Sequence, residues 1–130
     1  MIVADTDVLI DALRGEAAVA GLIAKLLRER RLATTAITRL ELGVGASTAQ
    51  EKASVDQLLA AIPVLALDAE SAGLAAEVGA SLRTAGQSVP FADLAIAGIC
   101  LRLGAELLTR NRRHFERVEG LALTAPPAGG

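Results

Sequence analysis

Three acids stand out by their type and by the runs they follow. Asp5 ends the apolar run Ile2-Val3-Ala4, Glu41 follows the small and β-branched run 32–37, and Asp93 comes just after Pro90 at the head of a long apolar stretch. Carboxylates that converge raise one another's pKa and cost stability unless a cation sits among them. Mg²⁺ prefers oxygen ligands, commonly takes only one or two carboxylates, and completes its shell with water and substrate phosphate. An ion held in this way can polarise a phosphodiester, generate hydroxide from bound water and stabilise the leaving oxygen. The chemistry these residues suggest is metal-assisted phosphodiester cleavage without a protein nucleophile.

Each acid also has a plainer use. Thr38-Arg39-Leu40-Glu41 fits a capping box, with Thr38 as the N-cap and Glu41 reaching back. Asp7 and Asp68 are placed to cap helices, and Asp93 to favour a helix dipole. Asp11 and Asp56 read as solvated charges. An acid that closes a buried strand, as Asp5 does, needs compensation. His114 is the only histidine, and one His does not make a transition-metal site. It lies in Arg110-Asn111-Arg112-Arg113-His114-Phe115-Glu116-Arg117, where four arginines fall within eight positions. Guanidinium groups match phosphate oxygens bidentately, so this is the best phosphate-binding segment. Lys25, Arg28, Arg30 and Arg31 read as a solvated helix face, and Phe91 and Phe115 as core.

These side chains act together only if the fold brings them to one edge. Ile2–Ala4 reads as a buried first strand. Val8, Leu9, Ala12 and Leu13 follow helical spacing up to Gly15. Residues 16–30 read as a helix with Ala17, Ala20, Ile23, Ala24 and Leu27 on one face. A second strand over 32–37 leads into a helix over 38–44, then a polar-faced helix over 50–62 stopped by Pro63. A third strand over 64–67, a helix over 69–84 closed by Gly86, and a helix from Pro90 to Leu103 follow. Residues 105–108 form a fourth strand, 121–124 a short fifth, and 111–119 a charged, partly helical loop. Alternating strands and helices imply a three-layer α/β/α domain, with a mostly parallel central sheet of four to five strands. Its connections are right-handed crossovers. In such sheets ligands bind beyond the carboxyl ends of the strands. If strands one, two and four are neighbours, Asp5 and Glu41 project to one edge and Asp93 joins from its helix start.

Composition narrows the field. The 130 residues make one domain, and at 52% apolar content the chain is not a disordered one. With two Phe and no Trp or Tyr it lacks the aromatic faces of a base-stacking platform. Net charge is −2, so any contact with nucleic acid must be local or helped by bound cations. The lone Cys100 fits core filling and a reducing compartment. No apolar run approaches a membrane span, and Met1-Ile2-Val3-Ala4-Asp5 does not read as a secretory signal. The expectation is a soluble cytoplasmic protein with a frayed end at Pro126, Pro127, Gly129 and Gly130.

Four segments, taken in order, resemble the PIN-domain ribonucleases: Ile-Val-Ala-Asp-Thr-Asp-Val-Leu-Ile at 2–10, Ile-Thr-Arg-Leu-Glu-Leu-Gly at 37–43, Phe-Ala-Asp-Leu-Ala-Ile-Ala at 91–97, and Leu-Thr-Arg-Asn at 108–111 with His114-Phe115. Within that family the chain is similar to the VapC-type toxins of bacterial and archaeal toxin–antitoxin pairs. The resemblance implies a PIN-like domain over residues 1–125 and a flexible tail over 126–130. It matches Asp5, Glu41 and Asp93 to the family's metal-binding acids, directly or through water, and Thr6 to a supporting hydroxyl. The family often has a further acid after the fourth strand. Here Asn111 and His114 stand in that region, which leaves a one-metal site intact and counts against a second tightly held ion. The implied activity is a Mg²⁺-dependent endoribonuclease, with Mn²⁺ as a substitute, acting on tRNA or rRNA to inhibit translation and growth. Arg110, Arg112, Arg113 and His114 would meet the substrate, and Asn111 would support the site. The implied partners are a second copy, a small antitoxin protein, and operator DNA reached through the antitoxin.

Two alternatives remain open at this point. Asp5-Thr6-Asp7 also resembles the Asp-x-Asp opening of haloacid-dehalogenase-like phosphatases, whose first Asp attacks phosphorus. That family needs a downstream lysine and an acidic pair, whereas the only lysines are Lys25 and Lys52 and no Asp-Asp pair occurs. A PIN-like fold kept for protein binding alone is the other, and the absent fourth acid is its support.

Overall fold

The computed structural model describes residues 1–128. Its five strands are β1 (Ile2–Ala4), β2 (Leu32–Thr35), β3 (Val64–Leu65), β4 (Glu106–Leu108) and β5 (Leu123–Thr124). They pair in the order β3-β2-β1-β4-β5, and every pairing is parallel. The helices are α1 (Thr6–Leu13), α2 (Ala17–Arg28), α3 (Ala36–Gly45), α4 (Ala49–Ala61), α5 (Ala69–Thr84), α6 (Phe91–Leu103) and α7 (Arg112–Phe115).

A parallel strand covered on both faces must be apolar throughout, and β1 is buried at each of its residues. Side chains alternate between the faces of the sheet. Ile2, Ala4 and Leu108 enter one core with Val8 and Leu9 of α1, Ile23 of α2, Leu42 of α3 and Leu59 of α4. Val3 and Leu107 enter the other with Ile96, Ala97 and Cys100 of α6 and Phe115 of α7. The result is the expected three layers. Helix α5 packs outside α6 through Ala75, Leu82 and Leu94. Gly104 (φ 62°) then takes the left-handed C-cap that turns α6 into β4, a conformation that suits glycine.

Several local expectations are corrected. β2 stops at Thr35, because Thr35 is the N-cap of α3 and its hydroxyl accepts from the Thr38 amide at 3.2 Å. Thr38 is therefore the residue whose amide is capped, not the cap. The buried stripe of α2 is Val19, Ile23 and Leu26, while Ala17 and Ala24 are exposed. The helix turns its larger apolar side chains inward because they remove more area from water than alanine does. Phe115 is fully buried, as expected, but Phe91 is 89% exposed, because it starts α6 at the rim of the core. Cys100 is buried, and burial pushes its thiol up to about 12, which suits core filling and not nucleophilic chemistry. Asp68 does cap α5, accepting from the Ser71 amide at 2.8 Å. No described helix is long and apolar enough to cross a membrane. Of the expected tail, residues 129 and 130 lie outside the described residues; Pro126 is buried and the Pro127 carbonyl accepts from Arg110.

The α5–α6 contact depends on one missing methyl group. A Cβ added at Gly98 would lie 2.3 Å from the Ser71 carbonyl oxygen and 2.9 Å from the Ala75 Cβ. Backbone cannot yield as a flexible side chain would. Gly98→Ala is expected to destabilise the fold by about 1–3 kcal/mol, read as a lower urea midpoint at unchanged slope.

Candidate active site

The connections diverge at β1 and β4: β2 and β3 lie on one side of β1, and β5 lies beyond β4. Loops that leave such a switch point in opposite directions open a crevice at the carboxyl edge of the sheet. Asp5 follows β1 directly into that crevice and is 5% exposed. Its amide donates to the Leu108 carbonyl at 2.9 Å, which fixes it beside the end of β4. Asp5, not Asp7, is the N-cap of α1: its Oδ1 accepts from the Thr6 amide at 2.8 Å. Its Oδ2 accepts from the Thr109 hydroxyl at 2.7 Å, and Thr109 Oγ1 in turn accepts from the Asn111 amide at 2.9 Å.

These hydrogen bonds do not fully offset the loss of water. Burial pushes the Asp5 carboxyl up from 3.8 to about 6; the Thr109 hydroxyl pulls against this, Asp7 adds to it, the Thr6 amide opposes it, and Asp93 adds to it. Asp7, in the first turn of α1, is raised chiefly by burial as well. Its Oδ2 accepts from the Arg110 amide at 3.1 Å, while its Oδ1 is buried without a hydrogen-bond partner among the described residues.

Glu41 reaches the same edge from α3 and is joined to α1 by a hydroxyl. Thr6 Oγ1 lies 2.7 Å from Glu41 Oε1 and 3.0 Å from Thr38 Oγ1. Thr6 has one hydroxyl proton and a carboxylate only accepts, so Thr6 donates to Glu41 and receives from Thr38. Thr35 Oγ1, 3.4 Å from Thr38 Oγ1, stands behind them in the same line. Glu41 therefore does not reach back to its own helix start. The capping-box reading fails because the hydroxyl of a neighbouring helix claims the carboxylate.

Asp93 lies in the first turn of α6, where the Pro90 N-cap offers no side-chain bond. Its Oδ2 is 2.5 Å from His114 Nδ1, and Nδ1 is 2.8 Å from Asn111 Nδ2. One ring nitrogen cannot donate to a carboxylate and accept from an amide at once. The carboxylate is the stronger acceptor, so Nδ1–H points to Asp93, and the Asn111 amide, with its oxygen toward the ring, shares that same proton as the weaker acceptor.

The arginines divide. The Arg110 guanidinium binds Asp11, lies 3.3 Å from Glu16, and donates to the Pro127 carbonyl at 3.2 Å. Asp11 is thus a paired and largely covered charge, contrary to expectation, and Arg110 is a tie between α1 and the end of β4. Arg112 and Arg113 are exposed, with no ion pair among the described residues. Sequence reasoning cast Thr38 as a helix cap, not as a support of Glu41, and did not find the roles of Thr35 and Thr109. Threonine is ordinary in strands, so nothing separated the hydroxyls of Thr35 and Thr109 from strand-formers.

The donor set suits a hard cation. Three acids reach one edge, and among the described residues no Lys or Arg pairs with Asp5, Glu41 or Asp93. Among the same residues no three Asp, Glu, His or Cys side chains stand close enough together to hold a metal ion between them. Acids spread in this way fit only an ion that takes one or two carboxylates directly and completes its shell with water, as Mg²⁺ does.

An all-parallel α/β fold with acids at its switch point defines a protein whose site lies at the carboxyl edge of the sheet. Residues 2–121 match the PIN domain, and the chain belongs to that family. It is 30% identical over 112 residues to ribonuclease VapC19 of Mycobacterium tuberculosis, covering 85% of this chain and 89% of the relative. It is 32% identical over 99 residues to the tRNA(fMet)-specific endonuclease VapC of Shigella flexneri, covering 73% and 75%. Its fold matches DNA-bound VapBC of Salmonella typhimurium with a TM-score of 0.88 at 26% identity, over 95% of this chain and 96% of that one. The resemblance read from the four sequence segments holds, and the chain is a VapC-type nuclease. The phosphatase alternative falls with it.

The raised Asp5 pKa gives stability a sign against pH. The native state takes up the Asp5 proton more readily than the unfolded chain does. In metal-free protein this group therefore lowers stability as pH rises from about 4 to 6, by roughly 3 kcal/mol. A divalent ion needs the carboxylate and opposes that loss. Melting curves are expected to show a clear stabilisation by Mg²⁺ at pH 7.5 and little at pH 5. Equal stabilisation at both would remove Asp5 from the metal site.

Proposed function

We propose that this protein is the toxin of a toxin–antitoxin pair and cuts structured RNA, tRNA or rRNA, with Mg²⁺ as its cofactor and Mn²⁺ as a substitute. The observation that carries this reading is the buried Asp5 carboxylate, held by the Thr6 amide and the Thr109 hydroxyl beside Asp93. Asp5, Asp93 and Glu41 would hold the ion, directly or through water. When bound, the ion supplies Lewis acidity at the phosphodiester and a water of lowered pKa. Thr6 fixes Glu41, and Thr109 with Asn111 fixes Asp5. Arg112 and Arg113, exposed on α7 beside the crevice, are the groups to steady flanking phosphates. Arg110 contributes through its tie to α1, since its guanidinium is already engaged.

The substrate class is supported by the printed activities of the relatives, one of them specific for a tRNA. Cutting such RNA would inhibit translation and growth. The partner reading is supported by the fold match to VapBC bound to DNA. On it, a small antitoxin protein blocks the site, operator DNA is reached through the antitoxin, and the toxin itself is a homodimer working in the cytoplasm. Residues 1–125 form the nuclease domain.

Purified antitoxin-free protein is expected to make discrete cuts in total tRNA or rRNA with Mg²⁺ and none with EDTA. Asp5→Asn should lower the rate by at least about 100-fold with the fold intact. End mapping should find 5′-phosphate and 3′-hydroxyl ends. A 2′,3′-cyclic phosphate would instead mean attack by the RNA's own 2′-hydroxyl and would sink this mechanism.

A further inference from the structure

His114 was expected at the substrate, but its ring is turned to an acid of the site. A run of hydrogen bonds connects two acids of the edge, Asp5 and Asp93. Asp5 Oδ2 accepts from Thr109 Oγ1 (2.7 Å), which accepts from the Asn111 amide (2.9 Å). The Asn111 side chain meets His114 Nδ1 (2.8 Å), and Nδ1 meets Asp93 Oδ2 (2.5 Å). The segment between the ends of this run is anchored on both sides. Thr109 continues the sheet through its amide bond to the Thr124 carbonyl at 3.1 Å, and Phe115, next to His114, is fully buried in the core. The brace thus sets one acid against the other.

At its far end the two oxygens of Asp93 differ. Oδ2 is taken by His114. Oδ1 has no hydrogen-bond partner among the described residues and is not among the fully enclosed atoms. The Asp93 side chain is only 16% exposed, and nothing else in α6 orients it. An acid in the place of His114 would add charge to an edge where Asp93 already opposes ionisation of Asp5. The histidine orients a carboxylate there without adding a negative charge.

We propose that His114 is a positioning residue: backed by Asn111, it holds Oδ2 of Asp93 and presents Oδ1 to the divalent ion. This rests on the metal site proposed above. Ligating carboxylates are commonly fixed by such outer hydrogen bonds, and losing one costs 10–100-fold in metal affinity or activity.

The test uses the full chain stripped of metal, with Mn²⁺ alone as the probe and free Mn²⁺ read by electron paramagnetic resonance. His114→Ala is expected to weaken Mn²⁺ binding by about 10–100-fold. His114→Asn should recover most of the loss, because its amide nitrogen stands as many bonds from Cβ as Nδ1 does. His114→Gln, whose amide nitrogen stands where Nε2 would, should not. In an Asp93→Asn background, removing His114 should cost little more. Wild-type affinity in His114→Ala overturns the proposal. If cleavage is then lost, the ring works on the RNA; if cleavage persists, it has no part in the site. Equal affinity in the Asn and Gln variants also overturns it, and that comparison decides the matter if melting curves show the Ala variant unfolded. Wild-type protein that binds no Mn²⁺ would refute the metal site itself, a separate outcome.

Discussion

The structure turns on a carboxylate that the central strand delivers into the interior. β1 is short, wholly buried and paired on both sides, so the residue that follows it cannot avoid the crevice between β4 and β2. That residue is Asp5, and water is largely denied to it. Two donors satisfy its oxygens, yet ionisation still costs free energy, because desolvation and two neighbouring acids outweigh the hydrogen bonds. A fold under selection for stability alone would place a small apolar residue or a neutral cap there. Keeping an acid leaves a local weakness that a bound cation would remove, and binding and stability would then be linked through one side chain.

Much of this was legible because it depends on runs of apolar residues. The short strands, the long helix over Ala69–Thr84 and the order of strand and helix follow from periodicity. The three acids were found because each lies just past a strand or at a helix start. Finer assignments failed where several residues compete for one local role. Asp5 and Asp7 can each cap α1, and Thr35 and Thr38 can each cap α3; the choice belongs to the strand before them, whose end the sheet decides and the local sequence does not. The stripe of α2 was misjudged because alanine and leucine count alike as apolar until area is weighed. Arg110 was grouped with its neighbours because a cluster of like charges carries no sign of a partner about a hundred residues away, and Asp11 is such a partner.

Charge is partitioned with the same economy. The chain is net acidic, and α1 alone carries Asp7 and Asp11 near Glu16. Arg110 answers this group, through its amide to Asp7 and its guanidinium to Asp11 and Glu16. Arg112 and Arg113, two and three residues on, are left exposed. One short segment therefore closes the fold on one side and offers positive charge on the other. Attraction for a polyanion can then stay local, without the broad basic surface that would hold nucleic acid unselectively.

The groups that orient the acids are almost all neutral. Thr6 and Thr38 serve Glu41, Thr109 serves Asp5, and Asn111 stands behind both Thr109 and His114. A lysine or arginine in any of these places would fix a carboxylate more strongly, since charge-assisted hydrogen bonds are about twice as strong as neutral ones. It would also cancel the negative charge that draws a divalent ion, and would compete for the same oxygens. A hydroxyl fixes direction at little electrostatic cost: it donates one proton to one oxygen and leaves the net charge of the edge unchanged. The same reasoning explains why the arginine nearest the site spends its guanidinium on Asp11 and Glu16 and offers only its amide to Asp7. Rigid acids with undiminished charge require neutral donors held by the backbone, and threonines provide them in the first turns of α1 and α3 and just after β4, where branching at Cβ restricts χ1.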